Sequence, residues 1–444
     1  MIARSEVSRE RKHAGCSSPH LTCPSDDAPP ELVVPQRDIG MTGKKNHNAG
    51  KPHNDKSIVF FVTEDWFFAS HFLPLAREAV RSGYNPIVVT RVREHRELIE
   101  ATGARVVPLE LHRRDLNPVS LIASVRKMIE VLESVQPSIV HCISLRSIIV
   151  GGIAATVTGC RRRVFAVTGW GYLAAKRNFF TSTIIAVIRA VLRGPLQSDD
   201  TIFLFENQDD PKILGFQPDD PAVAIVGGAG IDPAKYPIQS LPPAPPLRLA
   251  LVSRMLWSKG VDVAVEAVRL AHAAGAAVEL SLVGPIDPSN PKSIDEATLR
   301  DWSREPFISW LGAVTDIPSV WKEHHVACLP SRGGEGLPRT LLESASCGRL
   351  SLTTDVPGCR TFVRHEVDGY VLPVGDIEAL AAAIVELAGD PARVLSMGQR
   401  AAERVRNGYT EEDVASAVGV IYLQRLTCTG EAAAGAPAKA PIKD

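Results

Sequence analysis

The sequence lacks an apolar run long enough to cross a membrane. Its longest apolar stretches are Ile148–Val157, which Gly and Ala dilute, and Ile184–Leu192, which Arg189 interrupts. Both fall short of the roughly 18 continuous apolar residues that a spanning helix needs. The N-terminus is polar from Ser5 to His13, so we expect no signal peptide. The sequence therefore predicts a cytoplasmic protein without a transmembrane helix.

Paired cysteines and dinucleotide-binding glycine motifs are missing as well. The 8 cysteines are scattered, and none forms a CxxC pair or a cluster with metal-ligand spacing. This pattern is typical of reduced thiols and predicts no metal site. No predicted strand is followed by GxGxxG, which disfavours a dinucleotide-dependent oxidoreductase. We expect no cofactor.

Net charge is also nearly absent, yet the two signs are unevenly distributed. The 49 basic and 50 acidic side chains almost cancel over the whole chain. Residues 56–198 carry 19 basic and 10 acidic side chains, whereas residues 199–427 carry 20 basic and 31 acidic ones. Two halves of opposite charge indicate two domains with different ligands.

Both ends of the chain are polar and have almost no apolar periodicity. We predict that residues 1–55 and 428–444 are disordered tails, and Met41 is a second candidate start. Residues 56–427 remain, which is enough for about two domains that each bury a core.

Between the tails, short β-branched runs alternate with amphipathic segments. The predicted strands are 57–63, 85–90, 105–108, 138–142, 163–168 and 201–205, then 247–252, 278–283, 307–311, 326–329, 350–354 and 370–372. The predicted helices are 71–81, 119–134, 261–272, 317–322, 339–346, 377–388, 391–405 and 411–426. This alternation is typical of α/β proteins with parallel sheets.

A proline-rich segment divides the two sets of strands. Leu241–Pro246 contains four prolines in six residues, and such runs are extended and stiff. We place a hinge at 227–246, between an N-terminal domain, 56–226, and a C-terminal domain, 247–410. A last helix, 411–427, follows. Two doubly wound domains that face each other bind ligands in the cleft at the carboxyl ends of their strands.

The sharpest candidate site follows the strand 326–329. The loop from Pro330 to Pro338 contains three glycines and leads into a helix. Glycines allow close backbone approach, and the free N–H groups at a helix start can hold a phosphate. Glu335 in the loop and Glu343 in the helix are separated by seven residues, so both can reach one ligand. The same spacing is also compatible with a solvated loop acid and an exposed helix acid.

Two further segments of the second half carry candidate ligand-binding residues. Arg254 and Lys259 lie in the loop after the strand 247–252, where two cations are suited to a diphosphate. Isolated surface cations would show the same pattern. The glycine-rich segment Gly227–Gly230 suits domain closure or a backbone contact to a ligand, although it also fits an ordinary turn.

Together, these segments resemble the C-terminal half of family-four retaining glycosyltransferases of the GT-B fold. The matching pieces are the glycines before Ile231-Asp232, the Arg254 and Lys259-Gly260 pair, and the Glu335 and Glu343 pair. The resemblance covers essentially residues 56–427. It implies an α/β protein of two Rossmann-like, doubly wound domains facing across a cleft, with a nucleotide-sugar in the C-terminal domain.

The resemblance also implies roles for individual residues. Arg254 and Lys259 hold the donor diphosphate, Glu335 contacts the donor sugar, and Glu343 contacts the nucleotide ribose. No metal is expected, because the two cations and the helix N-terminus take its place. The remaining donor-site candidates are Gly230, Gly334, Gly336 and Leu337.

The acceptor is expected to meet the N-terminal domain, where the candidates are Trp66, His141, Thr168, Gly169 and Arg177. Trp66 belongs to an aromatic loop after the first strand that suits an apolar or lipid-linked acceptor, or else packs in the core. His141 is expected at the rim of the cleft, or is a structural histidine. Thr168 stands where many family members have a donor-contacting histidine, and Thr168-Gly169-Trp170-Gly171 resembles a subgroup that acts on polyprenyl-diphosphate-linked sugars.

Basic and apolar residues adjoin each other from Lys176 to Arg193. Arg177 is the candidate here, because such a segment can rest on an anionic membrane face or hold a lipid diphosphate. A buried helix with solvated ends is the alternative. The basic groups form no recognisable nucleic-acid-binding motif, so we expect no nucleic-acid partner.

These features predict a retaining transferase that moves a sugar, from a UDP-sugar by family resemblance, to a lipid-linked or growing glycan acceptor in surface polysaccharide biosynthesis. We expect it at the inner face of the cytoplasmic membrane. Two alternatives stay open: a nucleotide-sugar epimerase on the same fold, which needs no acceptor, and a non-catalytic membrane-surface protein that retains the fold.

Overall fold

The strands of the chain form two separate parallel sheets. A computed structural model describes residues 54–110, 117–170, 179–217, 219–288 and 290–426. The first sheet consists of β1 (Asn54–Glu64), β2 (Asn85–Arg91), β3 (Arg105–Pro108), β4 (Pro137–Ile143), β5 (Arg163–Val167), β6 (Thr201–Phe205) and β7 (Val223–Ile225). The second consists of β8 (Leu247–Val252), β9 (Val278–Val283), β10 (Ile308–Gly312), β11 (Val326–Leu329), β12 (Leu350–Thr354) and β13 (Gly369–Leu372).

The first sheet has the order β3-β2-β1-β4-β5-β6-β7. Its helices are α1 (Asp65–His71), α2 (Leu73–Arg81), α3 (Arg96–Glu100), α4 (Pro118–Val135), α5 (Leu145–Val157), α6 (Phe179–Arg193) and α7 (Asp210–Ile213). Two apolar clusters cover its two faces, one with Ile58 and Phe60 and the other with Val59 and Phe61. A parallel sheet buried on both faces explains why the first strand is a continuous apolar run rather than an alternating one.

The second sheet repeats this plan with the order β10-β9-β8-β11-β12-β13. After a 3-10 turn at Trp257–Lys259, its helices are α8 (Val261–Ala273), α9 (Glu296–Trp302), α10 (Ile317–Glu323), α11 (Arg339–Ser346), α12 (Pro357–Phe362), α13 (Ile377–Gly389) and α14 (Pro391–Arg406). In each sheet the strand order reverses beside the first strand, at β1 and β8. The predicted α/β class with two doubly wound sheets is confirmed.

Several elements of the first domain are absent from the predicted ones, and for β7 and α5 the reason can be identified. Strand β7 has only three residues, too few for a period-2 pattern to stand out. Helix α5 is buried over most of its surface, including Ile148 and Val150. A helix that is apolar on all sides has no amphipathic stripe, so its periodicity cannot be read from the sequence.

The segment after β1 is wrongly predicted as a loop that leads into one helix. Asp65–His71 is already helical, and a break at Phe72 separates α1 from α2. Pro74 has no N–H with which to continue the hydrogen-bond ladder to the carbonyl of Ser70. That carbonyl instead accepts a hydrogen bond from Arg339 of the second domain.

The chain passes between the two sheets at two points that lie side by side. Val226 packs in the core of the first domain and Ile231 in that of the second, so the outward crossing lies between them. On the return, Tyr409 packs in the second core, and α15 (Glu411–Leu426) contributes Tyr422 to the first. Ile231 N–H donates to the carbonyl of Tyr409 at 3.0 Å, and Glu411 N–H donates to that of Ile231 at 2.9 Å.

Within the described residues, no helix combines the length and the apolarity that crossing a bilayer requires.

Candidate active site

A cleft of about 940 Å³ lies between the carboxyl ends of the two sheets. Glu64 at the end of β1 and Glu206 after β6 line it from the first domain. Ser253 after β8 and Glu335 after β11 line it from the second. Strand ends of both sheets therefore face one space, which is where ligands bind in open parallel sheets.

Two loops of the second domain are locked together at the floor of the cleft. Gly260 has φ +70°, and a Cβ added there would lie 2.0 Å from the carbonyl oxygen of Pro330. Arg332 makes a forked pair with Asp262, with both N–O distances 2.6 Å. The loop that carries Lys259 is therefore held firmly against the loop that carries Glu335, as a preorganised site requires.

Lys259 and Glu335 form the central ion pair of this floor. The Nζ atom of Lys259 lies 2.6 and 2.8 Å from the two carboxylate oxygens of Glu335. Ser331 Oγ also donates to Glu335, at 2.7 Å. The side chains are only 20 % and 10 % exposed, so the two charges are shielded from water. An ammonium group has three donors, and the one beyond these two contacts can serve a further anion.

Arg254 stands nearer the mouth of the cleft. Its guanidinium group donates to Asp287 Oδ2 at 2.8 Å, and its side chain is 56 % exposed. The long side chain and its exposure allow the guanidinium group to reorient toward a ligand. The structure therefore brings Arg254, Lys259 and Glu335 to one cleft.

Glu343 lies one helical turn beyond Arg339 and is nearly buried. Its Oε1 accepts from the Tyr236 hydroxyl at 3.1 Å and from Arg339 Nε at 3.2 Å. Burial raises the pKa of the Glu343 carboxyl above its usual value, and the charge of Arg339 opposes that rise. Arg339 also lies 3.8 Å from Glu411. This arginine thus connects the Glu343 carboxylate to the start of the returning helix α15.

The predicted glycine and leucine candidates fall at two different places. Gly334 (φ +78°), Gly336 and Leu337 line the cleft just before α11. Gly230 (φ +68°) instead lies at the domain crossing, where an added Cβ would come within 2.7 Å of the carbonyl oxygen of Thr410. Its neighbour Ala229 lines the cleft. The structure therefore places Gly230 at the hinge.

Three acceptor-side candidates approach the cleft from the first domain. The side chain of Trp66 is 43 % exposed and lines the cleft beside Phe67. Thr168 lines it as well. Gly169 has φ +102°, and its Cβ position lies 3.0 Å from the amide nitrogen of Gly336. The glycine therefore permits backbone-to-backbone contact between the two domains.

His141 does not lie at the rim of the cleft. Its side chain is fully buried, and Nδ1 lies 2.6 Å from the Tyr422 hydroxyl of α15. Burial lowers the pKa of His141 to about 3, so the ring is neutral near physiological pH. The strand end that carries His141 is covered by the returning helix, which the sequence pattern of β4 does not reveal. The remaining acceptor-side candidate, Arg177, lies outside the described residues.

Among the residues that the structure covers, no group of three or more His, Cys, Asp or Glu side chains is arranged to hold a metal ion.

Two family models match the two halves of the chain. The model described as "Glycosyl transferase 4-like" matches residues 57–203, and the model described as "Glycosyl transferases group 1" matches residues 246–390. The order of these matches agrees with the two doubly wound sheets and the cleft between them. The chain belongs to the group 1 glycosyltransferases of the GT-B fold. The predicted family, fold and enzyme class are thereby confirmed.

The relatives of this glycosyltransferase include enzymes of bacterial polysaccharide synthesis. It is 23 % identical over 329 residues to the capsular polysaccharide biosynthesis glycosyltransferase CapM of Staphylococcus aureus. The aligned region covers 70 % of this chain and 82 % of CapM. It is also 23 % identical over 331 residues to the N,N'-diacetylbacillosaminyl-diphospho-undecaprenol alpha-1,3-N-acetylgalactosaminyltransferase of Campylobacter jejuni, covering 71 % and 85 %.

A solved structure shows the same fold at low sequence identity. Anabaena HepE in complex with UDP-glucose superposes with a TM-score of 0.64 at 16 % identity, over 84 % of this chain and 98 % of HepE.

Several charged residues of the glycosyltransferase cleft are not among the predicted site residues, and Glu206 and Arg339 are two of them. Glu206 follows β6 directly, and its Oε2 accepts from the Leu337 N–H at 2.8 Å. Arg339 begins α11 and lines the cleft. Both stand where an element begins or ends at the cleft. Their positions next to a strand end and a helix start could have indicated a role in the cleft. Neither residue, however, belongs to a recognisable sequence motif.

Proposed function

We propose that this enzyme transfers a sugar, with retention at the anomeric carbon, from a nucleotide-sugar to a lipid-linked or growing glycan acceptor in surface polysaccharide synthesis. The observation that carries the proposal is the shielded Lys259–Glu335 pair beside the start of α11, with Arg254 at the same cleft. The relatives are named for polysaccharide synthesis and for an undecaprenyl-diphosphate-linked acceptor. UDP is the proposed nucleotide, because UDP-glucose occupies the structural neighbour HepE.

In this proposal the donor diphosphate lies over Lys259 and extends toward Arg254. Both cations line the cleft, and the loop that carries Gly334 and Gly336 leads into the start of α11, where an anion is stabilised. Negative charge grows on the leaving diphosphate as the glycosidic bond breaks. Lys259 is already held in place and meets this charge without reorganising, which lowers the barrier. Arg254 turns toward the diphosphate when the donor binds. We therefore expect no requirement for a metal ion.

The two acidic residues take different parts of the donor. Glu335 is held in one orientation by Lys259 and Ser331, and we assign it to the hydroxyl groups of the donor sugar. Glu343 is fixed by Tyr236 and Arg339, and we assign it to the nucleotide ribose. Each carboxylate then positions the donor. Holding the reacting atoms in alignment removes a large part of the activation free energy.

The acceptor enters from the first domain. Trp66 and Phe67 present aromatic surface to the cleft, with ring centroids 5.6 Å apart, next to Thr168. Both rings offer apolar area, and the indole N–H of Trp66 adds a hydrogen-bond donor. Such a surface suits the sugar and the first isoprene units of a lipid-linked acceptor.

Product analysis tests the proposal directly. The purified enzyme is incubated with UDP-hexoses and UDP-N-acetylhexosamines, with and without polyprenyl-diphosphate-sugar acceptors, and the anomeric configuration of the product is read by NMR. Extension of the acceptor with retention, unchanged by EDTA, supports the proposal. Isomerisation of the donor without any acceptor indicates an epimerase. Absence of UDP binding by calorimetry indicates a non-catalytic protein.

Replacing Glu335 with glutamine tests its positioning role. We expect kcat to fall roughly 10- to 100-fold, because the neutral amide leaves Lys259 unpaired and holds the sugar hydroxyls less firmly. The matched control is Glu366→Gln, since Glu366 is a 62 % exposed acid outside the cleft. Wild-type turnover in both Glu335→Gln and Glu335→Ala would contradict the assignment of Glu335 to the donor sugar.

Contact with the inner membrane surface is the second part of the proposal. Residues 56–198 carry the excess of basic side chains, and the acceptor side of the cleft belongs to this domain. We expect the protein to sediment with anionic liposomes, and less of it to do so when NaCl is raised from about 0.05 to about 0.5 M. This change shortens the Debye length from about 14 to about 4 Å. Binding that is equal for neutral and anionic liposomes, or insensitive to salt, contradicts an electrostatic contact.

A further inference from the structure

Glu206 reaches the donor loop from the opposite domain. It follows β6 of the first domain, yet its Oε2 accepts from the Leu337 N–H of the second domain at 2.8 Å. Leu337 is two residues before α11, so this bond takes up one N–H group of the donor loop and holds that loop from the opposite domain. The bond exists only when the two domains are close together.

The backbone around this bond is packed without room for side chains. A Cβ on Gly336 would lie 2.0 Å from Glu206 Oε2 and 3.1 Å from the carbonyl oxygen of Thr168. A Cβ on Gly169 would lie 3.0 Å from the nitrogen of Gly336. Glycine at both positions lets the loops after β5 and β6 press directly onto the donor loop.

The loop that carries Glu206 has a second attachment across the cleft. Asp209 Oδ2 lies 2.8 Å from the guanidinium group of Arg360 on α12, and Arg360 also pairs with Asp355 at 2.7 Å. This pair is 30–37 % exposed at the side chains that face each other. It holds the same loop without touching the Gly336–Leu337 backbone. A variant that lacks this pair therefore shows the effect of weaker domain closure without loss of the Glu206 contact.

We propose that Glu206 is a positioning residue for sugar transfer, which fixes the Gly336–Leu337 backbone from the opposite domain and so sets the closed geometry of the donor site. The proposal rests on the donor site described above. It assigns to the first domain a part in shaping the donor loop, in addition to its part in acceptor binding.

Closure through Glu206 is linked to pH. Burial raises the pKa of Glu206 from 4.5 to about 7, the Leu337 N–H lowers it, and the charges of Asp210 and Glu335 raise it further. A raised pKa means that the closed form binds the proton more tightly than an open form in which the carboxyl is solvated. The contribution of Glu206 to closure is therefore complete below about pH 4.5 and is lost as the pH rises through about 7.

Other ionisable groups face Glu206 and must be separated from it. His71, His141 and Glu411 line a small cavity behind it. Burial lowers the pKa of His71 to about 4 and that of His141 to about 3, so neither ring gains charge between pH 5 and 7.5. Burial raises the pKa of Glu411. Asp210, Glu335 with its partner Lys259, and Arg339 complete the set.

Asp210 titrates in the same range, because burial raises its pKa to about 6. Its carboxylate is bonded to Asn207 of its own domain at 2.9 Å. Since Glu206→Gln leaves Asp210 in place, the difference between the pH profiles of the wild type and this variant belongs to Glu206.

The experiment compares wild type, Glu206→Gln, Glu206→Ala and the matched control Arg360→Gln between pH 5 and 7.5. Closure of the UDP-bound protein is followed by small-angle X-ray scattering, UDP affinity by calorimetry, and kcat/KM for the donor by product formation. For the wild type we expect closure to weaken as the pH rises, with kcat/KM falling on the order of tenfold. Glu206→Gln keeps the hydrogen bond and loses this pH dependence.

Two further variants separate positioning from folding. Glu206→Ala should keep UDP affinity within about threefold, since UDP contacts the other domain, while kcat/KM falls roughly tenfold or more through loss of the bond. Arg360→Gln should weaken closure equally at every pH. The same pH dependence in wild type and Glu206→Gln, or wild-type kcat/KM in Glu206→Ala, overturns the proposal.

Scattering and UDP affinity require no turnover, so this result is independent of the acceptor. If the protein binds UDP and closes but transfers no sugar, the proposed function is wrong. The scattering data still show whether Glu206 controls closure. If Glu206→Ala does not fold, Glu206→Gln still gives the comparison with the wild type. Wild-type closure that is constant from pH 5 to 7.5 contradicts the linkage in any case.

Discussion

Replacing Lys259 with methionine is expected to lower turnover roughly 100- to 1000-fold. Methionine fills a similar volume, so the fold is kept while the ammonium group that faces the leaving diphosphate is lost. The change also leaves the 10 % exposed Glu335 carboxylate without its partner, close to where the proposed donor carries negative charge. Steady-state kinetics with a fixed acceptor measures the effect, and UDP affinity should fall in parallel.

The control for this change is Lys322→Met, since Lys322 is an exposed lysine in the last turn of α10. Its kinetics should match the wild type. Lys259→Arg should recover part of the loss, because the charge is kept but the planar guanidinium group cannot reproduce the compact contact with Glu335. Turnover of Lys259→Met within about threefold of wild type contradicts the assignment of the diphosphate to this lysine.

Replacing Arg349 with methionine is expected to cause the largest loss of stability, about 3–5 kcal/mol. Its side chain is fully buried. The guanidinium group donates to the carbonyl oxygens of Trp321, Gln239, Cys347 and Ser240, at distances of 2.7 to 2.9 Å. Without these donors, buried carbonyl groups of the linker and of α10 lose their partners, and each such group destabilises the folded state.

Thermal unfolding followed by circular dichroism measures this loss as a lower midpoint for the second domain. The control is Arg304→Met, because that side chain is 81 % exposed and pairs only across one helical turn with Asp301. Its free energy of unfolding should change by less than about 0.5 kcal/mol. A change for Arg349→Met as small as that of the control contradicts the structural role of Arg349.

Arg349 also determines which part of the linker is free to move. Gln239 and Ser240 are bonded to it, and His325 Nε2 lies 3.0 Å from the carbonyl oxygen of Pro242. The linker beyond Tyr236 is therefore fastened to the second domain. The crossing itself is confined to the glycines between Val226 and Ile231, which have the backbone freedom that closure needs.

Most strands of both sheets could be predicted because each is a buried β-branched run bounded by turns. Their bounds differ from the predicted ones by three residues at most, as for β1 (Asn54–Glu64) against 57–63. The second domain was the easier half, since its candidate ligand-binding residues lie in the loops that follow strand ends. Arg254, Lys259 and Glu335 all follow this rule, and all three line the cleft.

The first domain was harder to predict because its cleft is covered by segments that are distant in sequence. His141 looks like a rim residue from its position at the end of β4, but the hydroxyl of Tyr422, 281 positions later, covers it. At the end of helix α1, the carbonyl of Ser70 accepts a hydrogen bond from Arg339 of the other domain. Local patterns carry no information on such partners.

Local sequence patterns suffice to predict the two doubly wound sheets, a division between them within residues 227–246, and the cations and carboxylates that follow β8 and β11. These depend on local periodicity and on the topology of parallel strands, whose carboxyl ends meet at one edge. Tertiary structure alone decided the contact of Glu206 with Leu337 and the burial of His141 and Arg349, because the relative placement of distant segments determines which polar groups lose water and which partners replace it.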